Sequence, residues 1–296
     1  MSARIEPLVR PEYELPLLPP PPPLETAARP LAARERLVRT LLQAGWLRKA
    51  VLLALLAALW EWAAHVAGND LLLPGFLQTA HAFVGGVASG ELQRYVGVSL
   101  GVLLQGYLAG VAGAFLLTSV AMSSRIGRDL LETLTAMFNP LPAIALLPLA
   151  LLWFGLGKAS LVFVLVHSVM WPLALNAYAG FRAVPQTLRM AGRNYGLGGL
   201  RIVTQILVPA ALPAILSGLK IGWAFAWRTL IAAELVFGTT SGKGGLGWYI
   251  FQSRNELFTD KVFAGLATVI VIGLLFEHIV FDAVERLTVR RWGMQA

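Results

Sequence analysis

The residues of this sequence with the most chemical potential are charged and hydrogen-bonding groups set inside apolar runs. Arg228 and Glu234 both fall in the stretch Leu212–Phe237. An unpaired charge in hydrocarbon costs at least about 2.5 kcal/mol, so each must face another helix, water or a solute. Six residues is a poor spacing for neighbours on one helix, and partners from other helices are expected. An arginine facing a pathway suits an anionic solute. Asn139, His167, Trp171 and Asn176 sit in two further apolar runs and need partners for the same reason, so they are candidates to line a path. Group-transfer chemistry has less to work with. Neither His167 nor Glu234 is accompanied by a nucleophile or a metal-binding cluster. The four histidines, His65, His81, His167 and His278, show no metal-ligand spacing, and the absence of cysteine removes disulfides and thiolate sites. Gly238, Gly242 and Lys243 approach a phosphate-binding loop, but the interval is one residue short and Gly244 stands where the hydroxyl is required.

The elements that position these groups follow from composition. Of 296 residues, 57% are hydrophobic and 14% charged, and the mean hydropathy is +0.67. That is too apolar for an ordinary soluble domain, and the lipid bilayer is the expected solvent. The net charge of +8 then serves orientation rather than nucleic-acid binding. About 20 apolar residues at 1.5 Å rise cross the hydrocarbon, and six stretches qualify: Ala50–Ala67, Val96–Met122, Leu134–Phe154, Ala159–Phe181, Leu212–Phe237 and Val262–Val284. The sequence therefore predicts an all-α polytopic membrane protein with six transmembrane helices.

Seventeen of the 24 Lys and Arg residues lie in the N-terminal region, the loops 123–133 and 182–210, and the C-terminal tail. Arg94, Lys158, Lys243, Arg254 and Lys261 occupy the alternate loops, so both termini are expected in the cytoplasm. Residues 1–48 form a tail, first proline-rich, with Pro19–Pro23 confined to polyproline II, then basic. Residues 49–290 form the membrane domain and 291–296 a second short tail. The first apolar stretch begins far from the N-terminus and no small-residue cleavage site follows, which argues against a removable signal peptide. Gly97, Gly101, Gly106 and Gly110 in the second span permit close helix approach. Pro140, Pro142 and Pro148 should kink the third and make it a pore-lining candidate. Trp60, Trp62, Trp248 and Trp292 suit interfacial belts.

The loop 182–210 between the fourth and fifth spans is long, basic and free of acidic residues. Pro185 suits a first helical turn, Gly196 and Gly198 stop that helix, and Leu200–Leu207 resumes one until Pro209. Met190-Ala191-Gly192, then Gly196, then Ile206-Leu207-Val208-Pro209 resembles the loop signature of the permeases of binding-protein-dependent ABC importers: Glu-Ala-Ala, three residues, Gly, nine residues, Ile-x-Leu-Pro. The spacing agrees throughout, while Met190, Gly192 and Val208 replace the family's Glu, second Ala and Leu.

The resemblance extends over about Trp60–Arg291, nearest to the branch that imports nitrate, sulfonates and taurine. It includes Leu72-Leu73-Pro74, the turn Val208–Pro213, Ala233-Glu234, and Gly244-Gly245-Leu246-Gly247 leading to Arg254-Asn255. It implies a type I ABC importer-like permease in a bacterial inner membrane. Met190, Ala191, Gly192, Tyr195 and Gly196 would form a coupling helix seated in a groove of a cytoplasmic ABC ATPase. The implied partners are that ATPase, which binds the ATP, a periplasmic or extracellular solute-binding protein, and a second permease copy in a homodimer. This chain itself would need no cofactor. On that topology the glycines near Lys243 form a turn or gate on the outer side. An ion-coupled secondary carrier would show internal repeats and embedded coupling charges, and no repeat is evident. A membrane-embedded enzyme relying on His167 or Glu234 lacks the accompanying groups.

Overall fold

The computed structural model describes residues 45–237 and 244–290. The proline run, most of the basic tail, Gly238, Gly242, Lys243, Trp292 and the C-terminal tail lie outside the described residues. The chain divides into two units after Leu56. The described part of the first is the opening of helix α1 (Gly45–Ala67), a run of strong helix formers with Leu52, Leu53 and Leu55 exposed. The second unit, from Ala57 onward, carries all the groups discussed below.

After α1 come α2 (Phe76–Ala88), α3 (Glu91–Ser123), α4 (Arg125–Phe138), a 3-10 turn Ala143–Leu146, α5 (Leu147–Phe154), α6 (Lys158–Ala183) and α7 (Gln186–Asn194). A turn at Leu200–Ile202 passes through a π-helical turn, Val203–Leu207, into α8 (Val208–Phe237). Then follow α9 (Leu246–Asn255) and α10 (Thr259–Leu275), which continues through π-helical turns to Arg290. Among the described residues there is no strand.

Among the described residues, five segments are long and apolar enough to cross a bilayer: Gly45–Ala67, Glu91–Ser123, Lys158–Ala183, Val203–Val236 and Thr259–Val289. The sixth is not the kinked helix expected over Leu134–Phe154. It is two helical pieces, Arg125–Phe138 and Ala143–Phe154, bent by 89°. Pro140 and Pro142 remove two amide donors within three residues, which no single helix can absorb. Pro148 breaks nothing, because it falls in the first turn of α5, where its missing N–H has no intrahelical partner to lose.

Helix α6 packs closely against both α3 and α8, and glycine allows it. A Cβ at Gly106 would overlap Leu165, one at Gly110 would overlap Val169, and one at Gly180 would overlap Ala214. Gly97 and Gly101, expected on the same seam, meet nothing within 4 Å. The five-residue step from Gly101 to Gly106 turns the helix by about 140° beyond a full turn, so the two pairs occupy different faces. Leu103, Leu165, Val169, Trp223, Trp227 and Leu230 fill the core between these helices. Trp60 is half-buried, donating from Nε1 to Pro74 O at 3.0 Å, while Trp62 is exposed.

Candidate functional site

The break in the third membrane element, between α4 and α5, borders a cavity of 380 Å³. Its wall takes Asn139 to Ile144 from the break, His167, Ser168, Trp171 and Pro172 from α6, and Phe225, Arg228, Thr229 and Ala232 from α8. The i, i+4 spacing of His167 and Trp171, and of Phe225, Thr229 and Arg228 at three and four, puts each set on one helical face. Phe138 and Trp171 stack with centroids 5.3 Å apart and an interplanar angle of 13°, and His167 stands edge-on to both. The guanidinium of Arg228 lies 5.1 Å from the Phe225 ring centroid, and its Nε donates to Ala224 O at 3.0 Å. Among the described residues no carboxylate lies within ion-pair distance of Arg228, and none lines the cavity. Ser168 donates to Thr229 Oγ1 at 3.1 Å, tying α6 to α8 across the cavity floor. Trp171 Nε1 and His167 Nε2 are buried without a hydrogen-bond partner among the described residues, a deficit of about 1–3 kcal/mol each.

Asn139, His167, Trp171 and Arg228 thus meet on one surface, whereas Asn176 and Glu234 do not line it. Asn176 Nδ2 donates to Pro172 O one turn back at 2.7 Å. Glu234 is 3% exposed, and its partners are neutral donors, not a counter-charge. Ser99 Oγ on α3 donates to both carboxyl oxygens, at 2.9 and 2.8 Å, and Gly247 N donates at 2.9 Å. Leu246 N donates to Ser99 Oγ at 2.8 Å. The first amides of α9, which have no intrahelical acceptor, are therefore satisfied by side chains from two distant helices. A Cβ at Gly245 would overlap Glu234 and Ser99, and one at Gly247 would overlap Glu234 and Ile231. Gly244, Gly245 and Gly247 are buried. They open a helix packed into the core, where the carboxyl group needs the space a side chain would take.

In the loop between the fourth and fifth spans, α7 begins after Pro185. It ends in a left-handed glycine: Gly196 has φ +76°, Gly196 N donates to Arg193 O at 2.9 Å and Leu197 N to Gly192 O at 3.0 Å. This pair of bonds closes the helix only when the residue after the cap takes positive φ, which glycine adopts without cost. Gly192 is buried, and a Cβ there would overlap Ile206 at the π-helical turn. Arg189 Nη2 donates to Phe181 O at 2.6 Å, capping the C-terminal end of α6. Met190, Ala191, Tyr195 and Gly196 are exposed, Tyr195 at 87%. Alongside runs a cleft of 820 Å³ lined by Arg125, Arg128, Arg182, Arg189 and Arg193.

Phe225 and Thr229 on the cavity, Phe138 stacked on Trp171, and Ser99 at the Glu234 cluster were not singled out from sequence. In an apolar run a phenylalanine or a lone hydroxyl carries no signal of its own; the helical spacing of Phe225 and Thr229 to Arg228 was the available clue. Among the described residues no group of three His, Cys, Asp or Glu side chains is placed to hold a metal ion.

Residues 106–291 match the family described as "Binding-protein-dependent transport system inner membrane component". Among curated proteins, the chain is 30% identical over 236 residues to the Escherichia coli protein named as the aliphatic sulfonates transport permease SsuC, covering 79% of this chain and 88% of that one. It is 35% identical over 150 residues to the taurine transport system permease protein TauC of Escherichia coli, covering 51% and 53%. Similarity to the nitrate import permease protein NrtB of Synechocystis is 28% over 242 residues, covering 79% and 86%.

Proposed function

Because the chain belongs to the family of binding-protein-dependent transport system inner membrane components, and is the multi-pass permease subunit of an ABC importer, we propose that it passes a small anionic solute through the Arg228 cavity by alternating access. The relatives' names point to a sulfonate, taurine, nitrate or a similar solute. The observation that carries the reading is a guanidinium on the wall of a largely apolar cavity that no carboxylate among the described residues lines, an arrangement that favours an anion over a second cation.

Energy enters from outside this chain. ATP is bound and hydrolysed by a separate cytoplasmic ABC ATPase, a solute-binding protein delivers cargo to the outer mouth, and a second copy of this permease completes the pathway. The coupling segment is α7, with Met190, Ala191, Gly192, Tyr195 and Gly196 at its contact with the ATPase. Support comes from exposed Met190 and Tyr195 on a short helix fixed to two spans, by Arg189 to the end of α6 and by Gly192 to the turn before α8. Closure of the ATPase can then tilt both. The loop and both termini, including the tail 1–48 and residues 291–296, lie in the cytoplasm of a bacterium, as the distribution of Lys and Arg favours.

Uptake measured in vesicles holding the complete importer tests this. Transport should require ATP and survive collapse of ion gradients, and Arg228→Gln should lower anion uptake by about tenfold. Unchanged uptake in that variant removes the anion pathway from this cavity. Dependence on an ion gradient instead of ATP would favour the secondary carrier.

A further inference from the structure

The cavity also bears on which anions pass, an inference that rests on the pathway reading above. We infer that its cargo is an organic monoanion with an apolar, planar body, such as an aryl sulfonate or aryl carboxylate, rather than a zwitterion such as taurine or a small inorganic anion such as nitrate.

Three observations converge. Much of the wall is apolar, with Pro140, Leu141, Pro142, Ile144 and Phe225 among its lining residues. Nitrate would surrender its hydration there with few donors to replace it, whereas an apolar body gains by leaving water. Next, Arg228 is the cavity's cation and no acidic side chain among the described residues lines the wall. The ammonium of an amino-sulfonate would sit near a like charge with no counter-ion. Aromatic faces attract ammonium groups, but the facing surfaces of Phe138 and Trp171 are already stacked on each other at 13°. Finally, Trp171 and Phe225 both line the wall that carries Arg228, so an oxyanion accepting from the guanidinium leaves its ring beside an aromatic surface.

The chain contains no cysteine, so a single Ala232→Cys change on the cavity wall gives one reporter thiol. The full chain, reconstituted in lipid vesicles with the subunits that purify with it, is labelled with a small hydrophilic thiol reagent in the presence of benzenesulfonate, taurine or nitrate. Benzenesulfonate should protect the thiol at concentrations about tenfold below the other two, the preference expected from one added ring stack. In the A232C background, Trp171→Phe should keep the preference and Trp171→Ala should erase it. Equal protection by taurine or nitrate, protection by none of the three, or a preference that survives Trp171→Ala overturns the inference and leaves the Arg228 uptake test of the pathway standing. A thiol in folded protein that never reacts means that water does not reach the cavity, and the pathway reading falls together with the inference.

Discussion

The two ends of the fifth membrane span are both built on glycine, for opposite reasons. At its entry, Gly196 supplies a positive φ that closes α7, and the helix it closes leaves Met190 and Tyr195 exposed. At its exit, Gly245 and Gly247 have ordinary space requirements reversed: they are small so that the Glu234 carboxyl can reach the backbone of α9. At the exit, Glu234, Ser99, Leu246 N and Gly247 N are joined by hydrogen bonds within the chain. At the entry the backbone is closed by Gly196 and by the Arg189 side chain, and Met190 and Tyr195 remain outward. On the proposed coupling role of α7, stability effects are expected at one end of the fifth span and coupling effects at the other.

The largest effect should come from Glu234→Ala. It strips the acceptor from Gly247 N and Ser99 Oγ inside the core, an expected loss of about 2–4 kcal/mol. Thermal unfolding of the purified protein would register this, with Glu234→Gln less damaging because an acceptor oxygen remains. A full-stability Glu234→Ala protein would break the comparison at its exit end. An intermediate effect is expected of Gly196→Val, since a β-branched residue at φ +76° costs about 1–2 kcal/mol. The strain is confined to the elbow, so ATP-driven uptake should drop several-fold while the melting temperature moves less than in Glu234→Ala. If unfolding shifts as much as for the carboxyl variant, the elbow is part of the core and the contrast between the two ends is lost. The smallest change in stability belongs to Tyr195→Ala, within about 0.5 kcal/mol for a side chain this exposed. Its sharper readout is co-purification with the ATPase, which should weaken although the isolated permease melts unchanged.

The glycine seam shows how far a sequence pattern reaches. Gly97, Gly101, Gly106 and Gly110 in the second span announce close packing, yet of these four Gly106 and Gly110 meet α6 while Gly97 and Gly101 do not. The spacing within each pair is helical and readable, whereas the five-residue step between pairs rotates them apart. Arg228 and Glu234 teach the same lesson for charges. Both had to find company in an apolar run, and sequence could not tell which would be capped by another helix and which would stay on a cavity wall.

The linear sequence determined the membrane class, the approximate spans, the elbow at Gly196 and a disturbance of the helix at Pro140 and Pro142. These follow from local quantities: runs of hydrophobicity, amide donors that proline lacks, and a backbone angle that glycine tolerates. Only the tertiary structure decided the 89° bend, the pairing of Glu234 with Ser99 and Gly247, and the gathering of Asn139, His167, Trp171 and Arg228 around one cavity. Each of these depends on the rotation and approach of helices far apart in the chain. Those are fixed by packing across the whole bundle, and no single segment encodes them.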